Sequence, residues 1–359
     1  MTQAQKISRN GLLDALRGLA IFLVVLGHST IGVVSSNLVT PENRPSYSLL
    51  TQALYLVHMP LFAFLMGLNM KSSWQKRPHP NYMLNRVFFF TYLYLVWTVI
   101  QGTFEVVGAK FSNNKTSVLE VLNIWHPLAH LWFLPWACLA SLLILGTQPW
   151  KPRLLSWLVS GLALTLMFAT WGTEGKSIPT LGMSLIFITL TGSLITSSRF
   201  LSFTQKPGIL LALCTLFSSL IFAWVLTEPN SRPTSLDLNR SVDSILMGML
   251  GTLSGTLAIL CGLSLLYKKI RLTWLEKIGE YSLHIYLLHL LIVPTVRILL
   301  TKMGVLNPLL IDALATLLGV LLPLAITLIC QRINFNYLFE PPFNLSTYKP
   351  KHFEEKQYV

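Results

Sequence analysis

The chain alternates between long apolar runs and short polar segments. A membrane-spanning helix needs about 20 mostly apolar residues, and ten runs come close to or exceed that length. They are residues 12–31, 49–70, 83–107, 128–146, 153–171, 178–197, 208–226, 241–266, 280–301 and 309–333. A transmembrane β-barrel would instead show segments of about ten residues in which polar and apolar positions alternate. Because these runs do not alternate, the pattern predicts an all-α, polytopic membrane protein with about ten transmembrane helices.

The composition agrees with a membrane protein. Of the 359 residues, 53% are hydrophobic and 11% are charged, whereas soluble domains carry about 25% charged residues. Disorder is excluded because it needs low hydrophobicity and high charge. The four cysteines all lie in apolar runs without C-x-x-C spacing, so we expect free thiols and no metal ligands or disulfides.

The net charge of +13 is distributed unevenly between the two sides of the predicted bundle. With ten spans, both termini lie on one side. The segments on that side hold 18 of the 27 Lys and Arg residues, and the segments on the other side hold seven. Cytoplasmic loops carry the excess of positive charge, so we expect cytoplasmic N- and C-termini. We expect one membrane domain over residues 1–333 and a short cytoplasmic tail over residues 334–359, with no nucleic-acid partner.

The first predicted helix carries three polar side chains that need a reason to be in a membrane. Arg17 and His28 are eleven residues apart, which is three turns plus about 20°, so they share a helix face. Along the axis they are separated by about 16 Å. Asp14 lies three residues before Arg17 and can pair with it. An interfacial ion pair and a packing histidine are the simpler alternatives for these residues.

Four stretches together resemble the acyltransferase type 3 family. They are residues 9–28, with LDxxRG and R-x10-H; residues 59–67, MPLFAFLMG; residues 130–134, HLWFL; and residues 278–289, IGEYSLHIYLLH. They occur in family order. The resemblance implies an integral-membrane enzyme with ten helices.

The activity that the resemblance implies is O-acyl transfer, most simply O-acetyl transfer. The donor would be cytoplasmic acyl-CoA, used as a co-substrate, with no permanently bound cofactor. The acceptor would be a hydroxyl of a cell-surface glycan or of its lipid-linked precursor. The expected location is a bacterial inner (plasma) membrane.

Positive residues near the second and third spans are the candidates to bind the phosphates of CoA. Arg suits phosphate through bidentate hydrogen bonds and Lys as a point charge. The family's R-x-x-R pair is incomplete here, since Arg86 is present but Met83 stands at the first position. Lys76 and Arg77 are the candidates to supply the missing charge. Plain positive-inside topology is the alternative reading of all three.

Transfer from a thioester to an alcohol needs a base for the hydroxyl proton and donors for the developing oxyanion. His28 is the candidate base, Arg17 is the candidate to hold the donor, and Asp14 would orient Arg17. A covalent acyl-histidine is an open variant. These roles predict a water-accessible passage from Arg17 up to His28.

Residues near the opposite membrane surface are the candidates to bind the acceptor. His130 and Trp132 open the fourth span, and Ser282, Tyr286 and His289 share a face of the ninth. A belt of interfacial aromatics and helix-packing hydrogen bonds are the alternatives. Other polar residues in or near spans have no motif-level role: His58, Glu105, Asp243, His284, Arg297 and Asp312.

A second function stays open at this point. The same Arg and His residues could line the path of a polytopic transporter, which would predict inverted repeats and broken helices. The sequence shows no such repeat and no metal-ligand motif.

Overall fold

The computed structural model describes residues 10–76, 80–108, 116–151, 153–173, 177–178, 180–233 and 240–342. Within them, short 3₁₀ turns at Ala129–Trp132 and Met183–Leu185 precede two of the thirteen α-helices. The helices are α1 (Gly11–Ser35), α2 (Arg44–Leu68), α3 (Met70–Lys76), α4 (Pro80–Gly108), α5 (Val118–Leu122), α6 (Phe133–Thr147), α7 (Arg153–Thr170), α8 (Ile186–Thr204), α9 (Gly208–Thr227), α10 (Val242–Tyr267), α11 (Thr273–Glu280), α12 (Ser282–Lys302) and α13 (Pro308–Arg332).

The prediction of an all-α protein with ten transmembrane helices is confirmed. Ten helical segments of the described chain are long and apolar enough to span a membrane, and no strand occurs in that part. The second span runs through α2 and α3 as Arg44–Lys76, and the short helices α5 and α11 lie outside the spans.

Two predicted spans differ clearly from the structure in their boundaries. The run at 49–70 lies within a longer span at Arg44–Lys76, and the run at 178–197 corresponds to a span at Met183–Thr204. The helix continues through a kink at Thr196, which has φ 67° and ψ 153°. The Thr196 and Ser198 hydroxyls lie 3.1 Å apart and hydrogen-bond to each other beside this kink. Hydropathy alone ends the span at this polar stretch because it does not register such local hydrogen bonds.

α1 lies at the centre of the bundle and packs against α2, α10, α11, α12 and α13. Fourteen of its 25 residues are buried, and they fall on several sides of the helix. A helix that is enclosed in this way presents its polar side chains to the protein interior.

Contacts between helix ends show how the spans alternate in direction. Tyr281 precedes α12 and hydrogen-bonds to Gln331 near the end of α13. Thr30 near the end of α1 donates to the Asp312 carboxylate near the start of α13, at 3.0 Å. We call the side of the bundle with Arg17, Lys76 and Arg271 the Arg17 end, and the side with Ser35, Gly108 and Lys302 the Ser35 end. The cytoplasmic placement of the Arg17 end remains a prediction.

The first residues of the expected tail pack onto the bundle. Phe339 is 2% exposed and stacks on the His284 ring with centroids 4.1 Å apart. The Trp97 indole N–H of α4 donates to the Leu338 carbonyl at 2.7 Å. Residues 343–359 lie outside the described residues, and the domain boundary at 333 stays a prediction.

Candidate active site

The Arg17 end of α1 holds the expected ion pair. Arg17 donates to the Asp14 carboxylate at 2.8 Å, and their side chains are 32% and 9% exposed. Asp14 belongs to the first turn of α1, whose N-cap Asn10 accepts hydrogen bonds from the amides of Leu12 and Leu13. The pair is therefore fixed on a well-capped helix end, with the guanidinium the more accessible partner.

A close helix crossing braces this pair. A Cβ atom at Gly18 would lie 2.0 Å from the Leu275 carbonyl oxygen, and one at Gly279 would lie 1.8 Å from the Asp14 carbonyl oxygen. Only glycine at both positions lets α11 touch the backbone of α1. Close packing of α11 on α1 thus explains the glycine of the IG dipeptide in the 278–289 motif.

Three imidazoles meet at the opposite half of α1. The His28 ring centroid lies 5.2 Å from that of His289 and 6.2 Å from that of His130. The His130 and His289 centroids are 4.8 Å apart. These rings come from α1, α12 and the turn before α6. The structure therefore brings together three residues that the sequence predicted separately.

Backbone carbonyls determine which nitrogen of two of these rings carries hydrogen. His130 Nε2 lies 2.8 Å from the Tyr286 carbonyl oxygen, and His289 Nδ1 lies 2.7 Å from the same oxygen. A carbonyl only accepts, so both nitrogens must donate. His130 Nδ1 and His289 Nε2 are then buried lone pairs, and neither has a hydrogen-bond partner in the described part of the chain.

Tyr286 holds His130 from a second direction. Its hydroxyl donates to the His130 carbonyl, and the two rings are 4.6 Å apart. Ala129, immediately before His130, has a positive φ of 40°. A non-glycine residue in that region costs on the order of 1–3 kcal/mol and is typical of functional sites. The surrounding contacts therefore hold His130 in a strained turn.

A large cavity leads from His28 to the Ser35 end. Its volume is about 1230 Å³. Its walls include His28 and Ser35 of α1, Glu105 and Gly108 of α4, and Arg297 and Lys302 of α12. Ser35, Gly108 and Lys302 are the last residues of their helices, so the cavity reaches the surface there. Pockets for small molecules are commonly about 300–1,000 Å³, so this one has room for more than one sugar ring.

Among the described residues, side chains close the expected open passage from Arg17 to His28. Ile21 and Val24 occupy the intervening positions of the same helix face, and they are 0% and 1% exposed. Both belong to an apolar cluster that also contains Trp97, Leu134 and Ile285. Aliphatic packing therefore closes the half of the path that begins at Arg17.

None of the five residues expected to bind an acceptor is among the described residues that line the cavity. Ser282 is the first residue of α12, about 10 Å below His289 along the helix. Trp132 packs beside Trp136 and against Gly182, with the indole centroids 6.4 Å apart. Tyr286 and His289 are the members of this predicted group, besides His130, that join the imidazoles.

The residues expected to bind the donor phosphates have different surroundings. Arg86 donates to the Ser141 hydroxyl at 3.0 Å and the Tyr82 hydroxyl at 3.3 Å, and its guanidinium lies 5.4 Å from the Phe90 ring centroid. It is thus held at the interface of α4 and α6. Lys76 is exposed at the end of α3, and Arg77 lies outside the described residues.

The sequence assigned no role to several polar residues that the structure places around the site. His58 is 2% exposed, and its ring lies 4.7 Å from Tyr55, which is 6.2 Å from His28. Asp312 binds Thr30 and, through its carbonyl, Ser29. In the sequence, the one feature that marked His58 and Asp312 was a polar side chain within an apolar run. In the described chain, no group of three or more His, Cys, Asp or Glu is arranged to bind a metal ion.

Comparisons with known proteins identify the chain as a whole. A family model described as an acyltransferase domain, the acyltransferase type 3 model, matches residues 10–328. No curated protein and no solved structure matched. The match contains the imidazole cluster, the cavity and the Arg17–Asp14 pair, and it covers nearly the whole chain. The chain therefore belongs to the acyltransferase type 3 family and is a multi-pass membrane acyltransferase.

Proposed function

We propose that the protein transfers an acyl group, most simply acetyl, from acyl-CoA to a hydroxyl of a cell-surface glycan or its lipid-linked precursor. The donor arrives at the Arg17 end and the acceptor through the cavity at the Ser35 end. The membrane is the inner (plasma) membrane of a bacterium. The observation that carries the proposal is the position of His28 at the inner limit of the large cavity, beside two imidazoles that offer lone pairs.

His28 acts as the general base in this proposal. The acceptor hydroxyl attacks the thioester carbonyl carbon, and His28 takes the hydroxyl proton. The carbon–sulfur bond then breaks, and the CoA thiolate leaves and receives the proton. The products are an O-acyl ester and the thiol, so atoms and charge balance. No covalent acyl-enzyme is needed.

His289 supports this role by its fixed tautomer. Its bare Nε2 can accept the N–H of the neighbouring His28 ring, with the centroids 5.2 Å apart. Accepting that hydrogen leaves the other nitrogen of His28 with a free lone pair toward the cavity. A partner that fixes the tautomer of a catalytic histidine is a common requirement of such sites. His289 is therefore a positioning residue, and the Tyr55 hydroxyl is the candidate donor for the oxyanion.

The donor half of the mechanism requires a local opening. Arg17 lies on the face that leads to His28 and can bind a phosphate group of CoA, with Asp14 as its anchor. Arg86 and Lys76 add positive charge on the same side of the bundle. The acyl-pantetheine arm must then displace the side chains of Ile21 and Val24. Packing of these two side chains keeps the donor path sealed against water, which would otherwise hydrolyse the thioester.

The decisive experiment supplies radiolabelled acetyl-CoA to membranes that contain the protein and to matched membranes without it, with the cell's own surface glycan as acceptor. We expect labelled glycan only where the protein is present. His28→Phe and His28→Ala should each lower incorporation by about 10²–10⁴-fold, the usual contribution of a general base. Both variants are needed so that a blocked cavity is distinguished from a missing base.

The matched control is His284→Phe. This histidine also lies on a span, but it stacks on Phe339 away from the cavity, and phenylalanine preserves the stack. We expect its incorporation to equal that of the unchanged protein at equal protein level. Full incorporation by both His28 variants would overturn the catalytic role, and no incorporation by the unchanged protein would overturn the proposed reaction.

A further inference from the structure

Arg297 is a half-buried cation in a transmembrane helix and has no carboxylate partner among the described residues. It lines the cavity, and its guanidinium donates to the backbone carbonyl of Gly32. A carbonyl is neutral and leaves the positive charge uncompensated. Cations inside a membrane bundle are costly, and they usually mark the path of a ligand or pair with an anion.

Helix capping does not account for this contact. The Gly32 carbonyl already accepts from the Ser36 amide at 3.2 Å, the Ser36 hydroxyl at 2.8 Å and the Ser35 hydroxyl at 3.1 Å. The end of α1 is therefore satisfied without Arg297. The carbonyl also engages only one of the guanidinium nitrogens that can donate, so Arg297 keeps further donors for a ligand.

The chain leaves space for the guanidinium at this position. A Cβ atom at residue 32 would lie 2.6 Å from the nearest guanidinium nitrogen of Arg297, so glycine is required for the observed position. Gly32 is one helical turn beyond His28, about 6 Å along α1. The charge is thus about one turn from the proposed base and faces the same cavity.

In the described part of the chain, the carboxylates on the cavity wall accept hydrogen bonds from neutral donors. Glu105 accepts from the Gln101 amide at 2.9 Å and from the Thr116 hydroxyl at 2.8 Å. Glu120 accepts from the Ser117 amide at 2.7 Å, within the capping box of α5. Neither of them pairs with Arg297 among the described residues, so its guanidinium can bind an anionic ligand.

We propose that the cavity binds an anionic saccharide and that Arg297 binds its carboxylate or phosphate. The guanidinium fork suits either group through paired hydrogen bonds. A saccharide that is held in this way presents a hydroxyl to His28 one turn deeper. The inference deepens the proposed function, since it assigns the charge class of the acceptor and a specificity-determining residue.

The test measures binding without acyl-CoA, so its outcome does not depend on acyl transfer. The protein is placed in nanodiscs of zwitterionic lipid and titrated with two matched pairs of probes. One pair is an oligogalacturonide and its carboxyl-reduced neutral product; the other is glucose 1-phosphate and glucose. We expect the anionic member of at least one pair to bind about tenfold or more tightly, as for a charge-assisted hydrogen bond. Preference in the first pair indicates a sugar carboxylate, and preference in the second indicates a phosphate.

Variants connect the preference to Arg297. Arg297→Gln should abolish it, and Arg297→Lys should retain only part of it because the fork is lost. Arg232→Gln is the matched control, since Arg232 is exposed on the same side of the bundle and does not line the cavity. Its preference should equal that of the unchanged protein.

Three outcomes overturn the proposal. They are equal binding within both pairs, no saturable binding of either anionic probe, and a preference that persists in Arg297→Gln. The comparison within pairs uses the unchanged protein, so it stands even where a variant fails to fold. Labelled-acetyl transfer is measured separately on the same nanodiscs, and its failure would count against the proposed function alone.

Discussion

The two halves of α1 present one helix face to different surroundings. At the Arg17 end, Ile21 and Val24 of this face are buried in aliphatic packing, and the adjacent side of the helix meets α11 through backbone contacts at Gly18. At the Ser35 end the same face opens into a cavity of about 1230 Å³ beside three imidazoles. Side-chain packing closes the path at the Arg17 end, whereas the cavity at the Ser35 end is already open.

This difference teaches how one helix can serve two substrates from opposite sides. A preformed cavity suits a bulky saccharide, because little ordering energy is lost on binding. A sealed path suits a reactive thioester, because packing excludes water until the donor binds. The halves should then respond differently to substitution: the Ser35 half in the chemical step, and the Arg17 half in donor affinity and stability.

The largest expected effect concerns the chemical step. His289→Ala should lower kcat by about 10–100-fold, the size of effect seen when a metal-binding histidine loses the partner that orients it, while the KM for acyl-CoA stays near its original value. His289→Gln should recover part of the activity because its amide oxygen also offers a lone pair. Steady-state kinetics on purified protein checks this, and an unchanged kcat in His289→Ala would remove the positioning role.

The next effect tests the tight packing of the Arg17 half. Gly279→Ala places a Cβ against the Asp14 carbonyl, so α11 must shift. Overpacking of this kind costs about 1–3 kcal/mol, and we expect a lower midpoint of thermal unfolding in detergent. Gly161→Ala is the control, since nothing lies within 4 Å of a Cβ there and alanine favours the helix. Equal midpoints for the two variants would show that the crossing tolerates a side chain.

A smaller effect is expected at the guanidinium. Arg17→Lys retains the charge and loses the fork, so the KM for acyl-CoA should rise about tenfold, the equivalent of one charge-assisted hydrogen bond. The kcat should change little. Arg153→Lys, at an exposed residue on the same side of the bundle, should leave both constants unchanged. A fall in kcat at constant KM would move Arg17 from donor binding to the chemical step.

The smallest effect concerns pH and the ion pair at the start of α11. The Arg271 guanidinium, followed by the Tyr267 hydroxyl, holds the pKa of the Glu276 carboxyl below its usual range. A carboxyl with a lowered folded-state pKa adds stability above its unfolded value, about 4.3, and this stability is lost as the pH falls through the folded pKa. Glu276→Gln should therefore reduce the acid-side decline of the thermal midpoint slightly, since the Arg271 side chain of the pair is exposed to solvent.

Glu228→Gln serves as the control for this acid titration. Glu228 lies at the Ser35 end, after α9, away from the ion pair. Its midpoint should follow that of the unchanged protein from neutral to acid pH. A profile for Glu276→Gln that cannot be told from this control would show that the ion pair does not stabilise the crossing of α11 and α1.

The sequence by itself determined the ten spans and the polar residues within them that are candidates for function. In lipid, backbone groups must be satisfied inside the chain, so a long apolar run becomes a helix. The face shared by Arg17 and His28 follows from helix geometry alone. The sequence also shows polar residues within apolar runs, such as His58, Arg297 and Asp312. It does not show where their side chains lie in the bundle.

The tertiary structure alone decided which of these residues meet. Of the histidines His28, His130 and His289, the first and the last are more than 250 residues apart in the sequence. Helical periodicity does not show which faces of such distant helices pack together. The burial of Ile21 and Val24 and the uncompensated charge of Arg297 likewise depend on neighbours from other helices. Side-chain packing among α1, α4 and α12 is a property of the assembled bundle, because each helix satisfies its own backbone and leaves its partners to be chosen by shape and polarity.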